Sequence, residues 1–268
     1  MDYGVGELAG ESNVQKAWER FFGSDDVVGI KVCTIGRAAL STEPLLAAVV
    51  AERLQAMGIP ARNIIIWDRS ADELRAAGYD LEPGPSAVQC TSHGGDWDAP
   101  VESGVWRGRF AKLLTQHTSA LINMPVLKDH GIAGVTCALK NHYGSIDNPG
   151  SCHGNNCDPY IADINAHAAV TSKTRLIIAD ATRACWDQGP VPTDLDRVVW
   201  AYNGVLLGQD PVALEYQGLQ IIEAKRAEAG APSLARSGRW PKHIASAAAR
   251  GLGTDDPAQM EITDTDLA

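Results

Sequence analysis

The feature that most constrains this chain is an alternation. Short apolar, β-branched runs give way to turns and then to amphipathic helical segments, over and over. VVGIKVCTI, from Val27 to Ile35, reads as a buried strand. Thr42 then caps a helix through Met57, with Pro44 in its first turn and Gly58 as its stop. NIIIW, from Asn63 to Trp67, is a second strand, and SADELRAAG follows with Ser70 and Glu73 in capping-box spacing. Ala87 to Ser92, Ser119 to Val126 and Thr174 to Asp180 read as further strands. Asp210 and Pro211 open a long helix to Ala229, closed by Gly230, and PKHIASAAARGLG is one more helix. Apolar strands alternating with helices require right-handed crossovers. The expected fold class is therefore α/β, a mostly parallel β-sheet with helices on both faces in Rossmann-like layering. Residues 1–26 are expected to be a helical lead-in and 27–268 a single α/β domain.

In such sheets ligands bind beyond the carboxyl ends of the strands. The residues just past each strand are Arg37, then Asp68 and Arg69, then Lys128 and His130, then Asp180 and Arg183. Any one of them is equally suited to capping a helix or facing water. Together they suggest a polar rim.

Composition excludes some partners. A net charge of −10 argues against broad binding to nucleic acid or anionic membrane, which both reward lysine and arginine. No apolar run reaches the ~20 residues that span a bilayer. A small-molecule ligand is the expected partner, and a homo-oligomer stays open. The first residues show no secretory signal, so the chain as it stands reads as cytoplasmic, or as exported if a leader was trimmed. GVGELAG follows no strand and is not a dinucleotide fingerprint, and no Walker loop, G-x-S-x-G elbow or H-E-x-x-H motif is present. The six cysteines, Cys33, Cys90, Cys137, Cys152, Cys157 and Cys185, contain no C-x-x-C pair.

The stretch from Leu127 to Pro159 holds three of the seven histidines, three cysteines and four asparagines. GIAGVTCALKNHYG is expected to form a short helix with Thr136 and Lys140 on one face and Asn141 and His142 at its end. A loop with Cys152, His153 and Cys157 follows, and then Asp158 as the cap of PYIADINAHAAV. Imidazole and thiolate suit a transition metal, with His142, His153 and Cys157 as its candidate ligands. The alternatives are a glycine and asparagine loop with buried thiols, or a Cys152–Cys157 disulfide. Lys128 and Lys140 have two uses, as a buried nucleophile or base and as fixed charges holding an anion.

Several blocks resemble one family. They are VGIKVCT, NIIIWDRSADELRAAGY, the long run INMPVLKDHGIAGVTCALKNHYGSIDNPGSCHGNNCDPYIADIN, GVLLGQDPVALEYQG and HIASAAARGLG. They are similar to the signature of the domain-of-unknown-function family 362. That resemblance implies one α/β domain and, in some members, an added iron–sulfur ferredoxin segment; no C-x-x-C-x-x-C run for such a segment occurs here. More distantly, HGIAGVTCALK resembles a block of the lactate racemase family. There it implies a histidine that accepts a proton and a lysine ten residues later that holds a nickel-pincer nucleotide, with a further histidine on the nickel. His130 and Lys140 match that spacing, Ala133 and Gly134 match the small residues, and His153 stands for the metal-binding histidine. The family's second catalytic histidine falls where this chain has Asp68 and Arg69.

The expected function is a metal- or cofactor-assisted enzyme, an oxidoreductase or isomerase. It would act on a small, polar, anionic substrate by proton or hydride transfer. His130, Lys140 and Asp68 are the catalytic candidates, and Arg69, Lys128, Asn141 and Asp180 the substrate-binding ones. The alternative is a non-catalytic metal or small-ligand binding protein.

Overall fold

The computed structural model describes residues 1–266 apart from 82, 83 and 85; positions 267 and 268 of the expected domain lie outside the described residues. Two short helices, α1 (Asp2–Ala9) and α2 (Val14–Glu19), precede the first strand. They are more than a lead-in: Val5, Ala17 and Trp18 are buried in the same apolar cluster as the strands that follow. Then come β1 (Val28–Lys31), α3 (Pro44–Ala56), β2 (Ile64–Asp68), α4 (Ala71–Ala76) and β3 (Gln89–Ser92). A small antiparallel pair, β4 (Val101–Ser103) and β5 (Trp106–Gly108), stands apart, and α5 (Lys112–Thr115) follows it. The chain returns through β6 (Ala120–Asn123), β7 (Val126–His130) and β8 (Gly134–Thr136). Next are 3-10 turns over Lys140–Ser145 and Pro149–Cys157, then α6 (Tyr160–Ala166) and α7 (Ala168–Thr171). The remainder is β9 (Thr174–Cys185), α8 (Leu195–Val198), β10 (Val199–Gly208), α9 (Pro211–Glu228) and α10 (His243–Ala249).

Among the described residues, eight strands form one mixed sheet. Strands β3, β2, β1, β6 and β9 lie side by side and parallel. Strand β9 is long enough to pair with β6 and then, after a register shift, with β7. Only β8, on β7, and β10, on β9, run antiparallel. Each face is covered. Val28, Ile30 and Val32 pack with Val50 and Leu54 of α3 on one side, and Trp67, Leu121 and Leu127 pack with Ile161 of α6 and Leu219 of α9 on the other. No helix among the described residues is long and apolar enough to cross a membrane.

Local chemistry explains where the chain departs from the pattern reading. Ser70 caps α4 by accepting from the Glu73 amide, as its spacing predicts, and Asp210 caps α9 on two amides. Thr42 does not cap α3. Its hydroxyl accepts from Cys33 N at 2.9 Å and donates to Met124 O at 2.7 Å, stapling the ends of two strands. The single strand expected over 119–126 breaks at Met124 and Pro125 into β6 and β7, since proline offers no amide to the ladder. The helix expected over 131–144 is not there. Residues 126–136 form the β7–β8 hairpin, with Gly134 at φ +84 where a side chain would strike the Arg239 carbonyl, and the 3-10 turn begins only at Lys140. Asp158 does not cap α6, whose N-cap Pro159 carries no side-chain hydrogen bond.

Candidate functional site

Strands β1, β2 and β6 end level with one another, Lys31 opposite both Trp67 and Asn123. Their carboxyl ends carry a buried polar hub. Lys31 Nζ donates to Asp68 Oδ1 at 2.7 Å and to Val32 O at 2.7 Å. Asp68 also accepts from Thr34 N, Thr34 Oγ1 and Arg69 N. Burial works against the Asp68 charge, but the Lys31 ammonium and these hydrogen bonds hold its carboxyl below the usual range. Asp68 is therefore a fixed anion at neutral pH. Asn141 joins the hub, donating to Asn123 Oδ1 at 2.7 Å and to Lys31 O at 3.2 Å. Gly144 lets the 3-10 turn approach, because a Cβ there would sit 2.8 Å from Lys31 Nζ.

A second group lies along the same rim. On β7, side chains alternate. Asp129 pairs with Arg239 at 2.7 Å, while Lys128 and His130 share the other side. Lys128 Nζ donates to Cys33 Sγ at 3.1 Å, two residues past β1. His130 stacks on His153, ring centroids 5.6 Å apart, and Tyr143 meets His153 edge-on. Lys140 Nζ stands 3.2 Å over the Tyr143 ring. Lys128, Lys140 and His130 are 1, 6 and 7% exposed. Among the described residues, neither lysine has a carboxylate within ion-pair distance, and the Lys140 ammonium has no hydrogen-bond acceptor.

Burial decides the protonation here. It pushes Lys140 down to about 7, against the opposing pull of Cys157 and Glu215. It pushes His130 down to about 2, helped by Lys140, His153 and Lys128. His130 is thus neutral, and its tautomer is fixed. The amides of Ile132 and Ala133 both donate to its Nδ1 at 3.1 Å, so Nδ1 is an acceptor and the proton sits on Nε2. The ring can donate but cannot take a proton at Nε2.

The remaining sequence candidates fall elsewhere. Arg69 forks onto Glu73 one turn on. Asp180 lies inside β9, accepting from Glu43 N, Thr182 N and Thr182 Oγ1, so it holds the start of α3. His142 turns to Ser145 Oγ at 3.3 Å, and burial beside Lys31 pushes it down to about 3. His153 turns to His130, and Cys157 lies in the electrostatic reach of Lys140. Among the described residues no three His, Cys, Asp or Glu side chains converge as metal ligands, and Cys152 and Cys157 are free thiols rather than a disulfide. Asn155, Asn156 and Cys157 run consecutively through left-handed backbone. Asparagine tolerates this and cysteine pays about 1–2 kcal/mol, so the NNC run was a signal of a shaped loop.

Pattern reading missed Lys31, Cys33 and Tyr143. The signal for Lys31 was present: one charge inside an otherwise apolar strand that has a helix layer on each face. Of the residues marked by the lactate racemase resemblance, His130 and His153 stack and Lys140 stands over the Tyr143 ring that meets His153, whereas Asp68 pairs with Lys31 and Arg69 with Glu73. Lys128, Lys140 and His130 are each 7% exposed or less, so the cluster presents little surface.

A parallel sheet whose strand ends gather buried lysines and a neutral histidine defines an α/β protein with a polar site at its carboxyl rim. The family model for the domain of unknown function DUF362 matches residues 28–220, and the chain belongs to that family. That span contains Lys31, Cys33, Asp68, Lys128, His130, Lys140, Asn141, Tyr143 and His153, while Arg239 lies beyond it. No curated protein matches the chain.

Proposed function

We propose that the rim is a proton-transfer site for a small carboxylate bearing an adjacent carbonyl. The observation that carries this reading is the pair of buried lysines, Lys128 and Lys140, without carboxylate partners among the described residues, beside a histidine that can only donate. Lys128 supplies the fixed charge for the carboxylate. Lys140, held near 7, is uncharged in a large fraction of molecules at neutral pH and takes the proton from carbon. His130 Nε2–H donates to the oxygen that gains charge, acting as a neutral electrophile rather than a base. Asp68 and Asn141 position the turn that carries Lys140.

The test is hydrogen exchange at carbon. Small 2-oxo acids are incubated with the protein in deuterated buffer and followed by proton NMR. Exchange is expected to rise with pH through about 7 as Lys140 loses its proton. Lys140→Met should abolish exchange, Lys128→Met should chiefly weaken binding, and His130→Phe should slow exchange by about 10²-fold while leaving binding largely intact. Absence of exchange with every acid, together with measurable anion binding that Lys128→Met weakens, would instead favour a non-catalytic carrier. A metal-dependent form of the reaction needs His142, His153 and Cys157 to move together. Metal analysis of protein purified without a nickel column decides it: a stoichiometric metal lost in His153→Ala would replace the lysine scheme.

A further inference from the structure

We propose that Cys33 is a nucleophilic thiol, activated by Lys128, that captures a carbonyl carbon reversibly. Three structural observations converge on it. Lys128 Nζ donates into Cys33 Sγ at 3.1 Å, and a cation donating into sulfur stabilises negative charge there. Cys33 also lies within electrostatic reach of Lys140 and Arg69, so cationic groups approach it from β7, the 3-10 turn and the end of β2. Finally, Thr136 sits directly opposite Lys128 in the β7–β8 hairpin, on the same face. It is buried, and its hydroxyl has no hydrogen-bond partner among the described residues. A buried hydroxyl without a partner beside a lysine without a carboxylate is what a ligand oxygen would satisfy.

The other thiols differ. Burial pushes those of Cys137, Cys152, Cys157 and Cys185 up, and all four are shut off from solvent. Cys90 is the informative contrast. It is as accessible as Cys33, 8% against 7% exposed, but no lysine touches it, and burial with Asp80 nearby pushes its thiol up to about 12.

The step balances without an oxidant. The thiol gives its proton to water, leaving a thiolate held by the Lys128 ammonium, and the sulfur lone pair adds to the carbonyl carbon. The carbon–oxygen π pair moves to oxygen, which takes a proton back from water while Lys128 stays charged. Thiol and carbonyl become a thiohemiacetal, or the corresponding adduct of a ketone.

The test uses native protein and no substrate, so it is independent of the reading given to Lys140. Iodoacetamide is added at pH 7.5, and the modification of each cysteine is followed by peptide mass spectrometry. Cys33 should react at least about tenfold faster than Cys90, the equally exposed control. Lys128→Gln should bring the two rates to within about threefold, and Lys128→Arg should keep them apart. Equal rates in the wild-type protein would overturn the proposal whatever the variants do, and so would a ratio unchanged by Lys128→Gln. A small aldehyde should protect Cys33 from iodoacetamide and leave Cys90 unprotected; equal protection of both, or of neither, would also count against it.

Discussion

Lys31 and Asp68 show how one pair of charges is retained inside a sheet. Neither is solvated, so each depends on the other and on the hydrogen bonds around them. Lys31→Met should lower unfolding free energy in denaturant titration by about 3–5 kcal/mol, because Asp68 would be left charged and unpaired. Gly144→Ala tests the same contact from the other side. The added methyl would lie within 3 Å of both Lys31 Nζ and Asp68 Oδ1, and an expected cost of about 1–3 kcal/mol follows from forcing them apart. At this scale the sequence named Asp68, Asn141, Lys128, His130 and Lys140, all of which the rim brings into two adjoining groups. It did not name Lys31 or Cys33. Those two belong to β1 and its extension, whose apolar pattern announces only burial, whereas a partner 37 residues away in sequence is a tertiary fact.

Among the elements, the β7–β8 hairpin was the least legible. GIAGVTCAL mixes glycine with small and β-branched residues, and its period suits neither a helix nor a strand decisively. Contacts with α9 decide it. Glu215 accepts from the amides of Cys137 and Leu139 and faces His243 at 3.2 Å, so one carboxylate of α9 fixes the segment between β8 and the turn carrying Lys140. Glu215→Ala should cost about 3 kcal/mol by orphaning two buried amides. It should also displace Lys140, so any exchange activity should fall further than stability alone explains. The strand–helix alternation from β1 to β3 and the long helix α9 were legible because proline, glycine and capping residues mark their ends. Strand β10 was not, since its antiparallel place on β9 depends on a partner rather than on its own pattern.

For the whole molecule, burial of neutral histidines sets the acid response. The unfolded chain binds protons at His130 and His142 below about 6.5, whereas the fold refuses them until about 2 and about 3. Stability should therefore fall as pH drops below 6.5, by up to about 1.4 kcal/mol per pH unit for each histidine. Asp129, pushed up to about 6 by burial, acts oppositely between 3.8 and 6 and softens the slope. Lys140 extends the same effect to the alkaline side. Between about 7 and 10.5 the unfolded chain holds a proton that the fold does not, so stability rises with pH there. Melting temperatures from pH 4 to 9 check both limbs, and His142→Asn should flatten the acid one by about one proton. An acid slope unaltered in that variant would place the response elsewhere.

The two-residue break at Met124 and Pro125 fixes a parity. Strand β6 ends at Asn123, whose amide faces the hub, and β7 resumes at Val126. Along β7 the odd position, Asp129, meets Arg239, and the even positions, Lys128 and His130, meet Cys33 and His153. Deleting or inserting one residue at this break would exchange the two sets, presenting a carboxylate where the rim gathers cations and driving Lys128 against Arg239. This segment can therefore accept changes of side chain far more readily than a change in its count of residues.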